Sequence, residues 1–424
     1  MAGEEELSHL PGLLRDRVEL VESAVEEPPH PSIYRFLMEE GTRSVIEEYL
    51  RRKKAVAAKS SIQKNMAARL GVRHVNRDLV EELEKAFSSG ELKVVGIDAG
   101  TNGLNLEVAY IPLCCAMAAL CARFDIADCM PRAPERIPFW DDELAPDKHV
   151  QLLGFRLQFE LVVKAARKWK PDFILFDGPF LMGWLWPPGL GGPVYKEDFE
   201  KTIKAGVKAL DFCVEKGIPI IGFVKRPQGC KVAEKLAREG YLPRAVRDTV
   251  ALRWLSWGTY LRPFYYVSRS QKPRDFWEVG SSMADEYFKM AKELDVELDH
   301  VSVAFTYVNT GYTFPYKIEI PEVFIDRLDE IIALLFVLRA TRGIPFPIYA
   351  ADLLTKVSNT TRDLFLLSLR ARLAEEAERG RLSREDLEMF MPRYGESYGL
   401  SEEEFERASR SLASGRRIGG RGLR

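Results

Sequence analysis

The sequence predicts an α/β protein whose sheet contains parallel strands and carries helices on its faces. Three observations lead there. A β-branched run, Lys93-Val94-Val95-Gly96-Ile97, ends at Asp98. Short apolar runs at 173–177 and 218–224 then alternate with amphipathic stretches long enough for helices. Hydrophobic residues make up 46% of the chain and charged residues 29%, so there is ample apolar material for a core. Strand patterns alternating with helix patterns favour parallel pairing, because each crossover has to pack back on the sheet.

Taken in order, residues 5 to about 90 read as helical and charge-rich, with Pro28, Pro29 and Pro31 breaking the first segment. Arg51-Arg52-Lys53-Lys54, Lys59 and Lys64 make this arm locally basic, as a solvated helix face or an anion-binding one. A strand is expected at 93–98, a Gly/Asn turn at Ala99-Gly100-Thr101-Asn102-Gly103, a second strand at about 104–111, and a mixed run from Leu113 to Phe124. A proline-rich connection (Pro131, Pro134, Pro138, Pro146) leads to a long helix at about 148–169. The strand Phe173-Ile174-Leu175-Phe176-Asp177, a Gly/Pro/Trp-rich loop to Pro193, a helix at about 196–216, the strand Ile218 to Val224 and a helix after Gly229 follow.

The segment 245–300 is rich in Trp, Tyr and Arg and reads as an insertion with no legible fold. Strands at Val301 to Val308 and Tyr316 to Ile320 flank the turn Asn309-Thr310-Gly311. Helices at about 323–341 and 348–376 are separated by Gly343-Ile344-Pro345-Phe346-Pro347. The basic, glycine-rich tail 415–424 is expected to be mobile. No internal repeat is present.

Composition removes several classes. Lys+Arg 61 against Asp+Glu 63 gives a net charge of −2, so overall basicity does not announce nucleic acid, although a local basic groove is compatible with a neutral total. Cys114, Cys115, Cys121 and Cys129 crowd one apolar stretch, and with Cys213 and Cys230 they form neither a disulfide framework nor a CxxC zinc pattern. The histidines (His9, His30, His74, His149, His300) stand singly, which argues against a histidine-ligated zinc. An acidic start and the lack of any run of about 18 apolar residues predict a soluble, cytoplasmic protein.

Chemistry concentrates in the acids. Asp98 and Asp177 both end strand-like runs, and ligands of open α/β sheets gather at carboxyl ends of strands. Asp98 alone could equally close a turn through its own backbone. Glu160 shares a helical stripe with Leu153 and Leu157, pointing where apolar neighbours point, unless it pairs with Lys164 one turn on. If the two strands are neighbours, the three carboxylates converge, and such crowding is tolerated only around cations. That is the arrangement for two-metal phosphodiester hydrolysis, with ions roughly 4 Å apart. Asp352 fits a fourth ligand from a late helix, or merely complements that helix's dipole. Lys225, at a strand end beside these acids, could hold a scissile phosphate or serve as a salt-bridged lysine. Trp184 and Trp186, and Arg262, Arg269 and Arg274 near Trp254, Trp257 and Trp277, offer base-stacking surface or ordinary packing.

The order of Asp98, Glu160, Leu175-Phe176-Asp177-Gly178, Lys225 and Gly343-Ile344-Pro345-Phe346-Pro347 resembles the NurA family of archaeal DNA end-processing nucleases, over about residues 93–365. The resemblance implies an RNase H-like mixed sheet flanked by helices, with a helical N-terminal arm (1–92), a nuclease core (93–365, carrying the 245–300 insertion) and a C-terminal helical segment with basic tail (366–424). It implies a metal-dependent deoxyribonuclease with 5′-3′ exonuclease and single-strand endonuclease activity in double-strand-break end resection. It also implies Mn2+ or Mg2+, two ions, single- and double-stranded DNA as substrate, a homodimer, and a hexameric HerA-type ATPase as partner. Asp98, Glu160 and Asp177 match the family's metal-binding acids, and Lys225 its basic residue. Asp352 stands where the family commonly has histidine, and Asp98-Ala99-Gly100 replaces the usual Asp-Gly-Ser.

Two rival readings compete. Asp98-Ala99-Gly100-Thr101 resembles the phosphate-loop hairpin of the actin, chaperone and sugar-kinase class, but no second Asp-x-Gly hairpin follows, and Gly191-Gly192 lies too early for the adenosine pair. A non-catalytic DNA-clamping adaptor of a motor would carry the acids as vestiges, and a metal-dependent DNA digest separates it from an enzyme.

Overall fold

A computed structural model describes residue 33 and residues 36–390, apart from 34–35, 57–59, 142–144, 186–191, 272 and 312–313. The expectations for segment 5–32, Lys59, Trp186 and the tail 415–424 lie outside the described residues. The chain forms two compact units, 1–64 and 65–424. In the first, a turn of π-helix, Phe36–Gly41, runs into α1 (Thr42–Val56). Helix α2 (Ser60–Arg69) begins in the first unit and ends in the second.

The second unit is built on an eleven-stranded mixed sheet with the order β1-β7-β10-β11-β6-β5-β2-β3-β4, from which β8 and β9 branch beside β10. These strands are β1 (Arg73–His74), β2 (Val94–Asn105), β3 (Tyr110–Ala122), β4 (Asp125–Arg132), β5 (Phe173–Asp177), β6 (Ile220–Val224), β7 (Thr259–Tyr260), β8 (Phe264–Ser268), β9 (Glu278–Ser281), β10 (Val303–Val308) and β11 (Tyr316–Pro321). Strands β2, β5 and β6 are parallel neighbours, while β3 and β4 on one side and β11 and β10 on the other pair antiparallel. The series β4-β3-β2-β5-β6 is the centre of the mixed sheet flanked by helices that the family resemblance implies. The 245–300 segment is part of the sheet, since β7 and β8 both pair with β10.

Two hydrophobic layers cover the sheet. Because side chains alternate along a strand, Val95, Ile97 and Ala99 of β2 face α4 (Pro146–Trp169) and α5 (Pro193–Glu215), whereas Val94 faces α10 (Leu328–Val337) and α11 (Phe346–Thr355). Helix α3 (Arg77–Ser89) joins the second layer through buried Leu83 and Phe87. Its first turn is capped by Asn76, whose side chain accepts from the Asp78 and Leu79 amides, and left-handed Gly90 (φ 84°) closes it. The remaining helices are α6 (Lys231–Arg238), α7 (Asp248–Ala251), α8 (Ser282–Glu293), α9 (Leu298–Val301), α12 (Asn359–Glu378) and α13 (Arg384–Glu388). No helix among the described residues is long and apolar enough to cross a membrane.

The structure departs from expectation most at 99–103. Those residues form no turn: β2 stays in register with β3 from Val94↔Cys121 through to Asn105↔Tyr110. The glycines are there for close approach instead. A Cβ on Gly96 would lie 2.0 Å from the Pro347 carbonyl oxygen and one on Gly100 1.7 Å from that of Thr355, so the backbone of α11 rests on the backbone of β2. The tight hairpin lies one strand later, where Arg123 (φ 54°) and Phe124 (φ 56°) join β3 to β4 without any Gly or Asn to announce it. The single late helix expected at 348–376 is two, broken after Thr355, with Ser358 accepting from the Thr361 amide to start α12.

Candidate metal centre at the end of the parallel strands

Asp98 lies mid-strand in β2, but its parallel neighbour β5 pairs only to Ile97↔Phe176 and ends at Asp177. The sheet therefore opens beside Asp98, and the two carboxyls project from adjacent strands on the α11 face. Gly178 (φ 117°) turns the chain away after Asp177, in a conformation that favours glycine. The turned segment is held from below by fully buried Glu319, whose Oε2 accepts from the Phe180 amide at 2.7 Å and the Leu181 amide at 3.2 Å.

Asp352 on α11 completes a triad. One carboxylate oxygen from each of Asp98, Asp177 and Asp352 lies within 4.8 Å of the others. Lys225, immediately after β6, reaches in with Nζ 2.9 Å from Asp177 Oδ2 and 3.3 Å from Asp352 Oδ1. Thr355, which the sequence did not single out, adds a hydroxyl 3.4 Å from Asp98 Oδ2 and 3.0 Å from the Ala351 carbonyl oxygen. Its position three residues after Asp352 on one helix was the available signal.

The electrostatics are those of a site short of positive charge. Asp98 is 6% exposed. Burial, then the adjacent Asp177 charge and hydrogen bonding to it, push its carboxyl up to about 9, against the opposing pull of Lys225 and the Ala99 amide. Burial pulls the Lys225 ammonium down, but Asp177, Asp98 and Asp352 outweigh it and hold the group above its ordinary value. One lysine thus leaves Asp98 preferring its proton. Three convergent carboxylates, all oxygen donors at a half-open edge, fit a hard divalent cation such as Mg2+ or Mn2+.

Glu160 is not brought to this cluster. Gly154 of α4 packs against Ala99 and Thr101 on the odd-numbered face of β2, so the sheet itself stands between α4 and Asp98. Glu160 instead accepts from Arg132 of β4, with Oε2 at 2.9 Å from Nε and 2.7 Å from Nη2. Helical spacing gave its direction correctly, toward the sheet; it could not give which face of the sheet. The rival phosphate-loop reading loses its basis as well, because 98–103 runs as continuous paired strand. Of the aromatic surfaces, Trp184 is 45% exposed and donates to Gln151 Oε1 at 3.0 Å. Trp257 packs edge-on to Phe336, and the Arg262 guanidinium lies 4.7 Å over the Trp277 ring.

Comparison with known proteins gives the family. The NurA domain profile matches residues 68–357. Among solved structures, the NurA nuclease from Sulfolobus solfataricus is similar at a TM-score of 0.52 and 12% identity, covering 82% of this chain and 98% of that one. A structure of NurA bound to dAMP and manganese gives 0.43 at 12% identity, over 76% of this chain and 93% of that one. Human ENDOV gives 0.30 at 13% identity, over 66% and 96%. No curated protein matches the sequence. The match spans most of the chain and takes in Asp98, Asp177, Lys225 and Asp352, and the chain belongs to the NurA family of nucleases.

Proposed function

We propose that the protein hydrolyses phosphodiester bonds of DNA with divalent cations held by Asp98, Asp177 and Asp352. The observation that carries this is the convergence of three carboxylate oxygens within 4.8 Å at the end of the parallel strands. Manganese or magnesium suits the donor set, and two ions suit the reaction. Bound there, the cations supply polarisation of the scissile phosphate and activation of the attacking water.

The chain's own groups do the rest. Asp98 has to surrender its proton for the site to load, so loading becomes easier as pH rises toward 9. Asp177 is rigid because Gly178 and the Glu319-anchored segment fix the chain after it. Lys225, with its Nζ beside Asp177 and Asp352, would hold a non-bridging phosphate oxygen and offset the charge that builds as water adds to phosphorus. As the water oxygen bonds phosphorus the P–O bond to the sugar breaks, the water giving up a proton to solvent and the sugar oxygen taking one from it. Thr355 orients the Asp98 carboxyl.

Residues 93–365 are proposed as the catalytic core. The finer reading follows the family: 5′-3′ exonuclease and single-strand endonuclease action, a homodimer, and a hexameric HerA-type ATPase delivering DNA ends during cytoplasmic double-strand-break resection. Digestion of end-labelled single- and double-stranded DNA tests the core of it. Cleavage is expected with manganese and not with EDTA. Cleavage by Asp98→Ala at the wild-type rate, or none by wild type in any divalent metal, would reject the proposal.

A further inference from the structure

A cavity of about 710 Å3 adjoins Lys225 and is lined by Arg226, Arg247, Arg342, Phe314 and Tyr316. Among the described residues its lining carries four cations, counting Lys225, and no carboxylate. That is a marked local excess in a chain whose net charge is −2. Lys225 is committed to Asp177 and Asp352, whereas Arg226, Arg247 and Arg342 are exposed and form no ion pair with a described residue.

Arg342 is placed at a cost. It adopts φ 59°, ψ 17°, a left-handed conformation that glycine or asparagine takes more readily. The strained segment is pinned on both sides: the Tyr316 hydroxyl donates to the Arg342 carbonyl at 2.6 Å, and the Thr310 hydroxyl to the Gly343 carbonyl at 2.7 Å. An arginine in this conformation, facing a cavity lined by other cations, points to a use for its side chain. Phe314 is 50% exposed at the rim, while Tyr316 is packed on Phe223.

We propose that this cavity is the subsite for the nucleotide next to the scissile phosphate. Its phosphate lies among Arg226, Arg247 and Arg342, and its base lies on Phe314. The assignment rests on the nuclease reading for the identity of the strand, and it makes an unpaired strand the form admitted, because a base stacked on Phe314 is not in a duplex.

The test is binding of a fluorescent oligothymidylate to the full-length protein in EDTA, measured by anisotropy across a salt series. Arg342→Gly is the informative variant, since glycine accepts the backbone conformation and keeps the fold, which an unchanged melting temperature verifies. Each of Arg342→Gly, Arg226→Ala and Arg247→Ala is expected to weaken binding several-fold and to flatten the slope of log K against log salt by about 0.7. Phe314→Ala is expected to weaken binding about tenfold with the slope unchanged. Arginine variants that bind with wild-type affinity and slope, while manganese-dependent cleavage by wild type persists, overturn the subsite and leave the nuclease reading standing. Loss of binding in those variants, in a protein that cuts nothing in any metal, keeps the cavity as a single-strand site but overturns both the nuclease reading and the cavity's place beside a scissile phosphate.

Discussion

Replacing Asp98 by asparagine should stabilise the metal-free protein, by an amount that grows with pH. The carboxyl ordinarily titrates at 3.8, and burial together with Asp177 pushes it up to about 9 in the folded chain. Below pH 3.8 folded and unfolded chains both carry the proton and nothing is lost. Between the two values the unfolded chain ionises while the folded chain holds its proton, so stability falls by about 1.4 kcal/mol per pH unit, and it levels off above the upper value. The penalty amounts to about 2 kcal/mol near pH 5 and about 4 kcal/mol near pH 7. Asparagine has the same size, never ionises, and can donate to Asp177 as the protonated acid does. Urea unfolding of wild type and Asp98→Asn in EDTA across this range measures the difference directly. Manganese should then raise the wild-type midpoint and leave the variant nearly unmoved, because only the wild type gains by binding. A stability difference independent of pH would refute the assignment of Asp98 as a carboxyl destabilised for want of a cation.

Asp177→Asn should lower manganese affinity by more than the roughly 10–100-fold that loss of a ligand's supporting partner costs, read by calorimetric titration. Asp352→His should retain measurable cleavage where Asp352→Ala does not, since imidazole is also a metal ligand for manganese; equal loss in both would remove Asp352 from the ligand set. Glu160→Gln should cut at close to the wild-type rate and cost under about 1 kcal/mol, as its pair with Arg132 is 30% exposed on the glutamate side. A hundredfold fall in rate would return Glu160 to the metal. Gly100→Ala should cost about 3 kcal/mol or more in thermal unfolding, because the new methyl meets a backbone oxygen that no rotamer change can move.

The sequence revealed the parallel centre of the sheet because β5 and β6 are short apolar runs buried on both faces, and such runs have few other homes. The same logic put Asp177 at a strand end, as found, but had Asp98 ending its strand as well, whereas it lies inside β2 beside the end of β5. What stayed hidden depends on contacts remote in sequence. The run Gly100–Gly103 carries turn chemistry, yet pairing with β3 and the approach of α11 hold it extended. Arg123 and Phe124 carry none, yet the strand pairing around them imposes a tight hairpin. Glu160 lies apart from the other acids, on Arg132, because periodicity assigns a helix face but not a side of the sheet. The cavity of arginines gathers residues from four separated segments, one of them at a backbone angle that no local signal announces.

The contact of α11 with β2 through Gly96 and Gly100 has a consequence for how such a centre can diverge. Main-chain atoms meet there with no side chain between them, so the spacing between Asp352 and Asp98 is a property of the polypeptide rather than of any packing residue. Drift in the surrounding layers can then proceed without detuning the distance across which ions must be gripped. Exchange of side chains in those layers can therefore leave the width of the gap in this chain untouched.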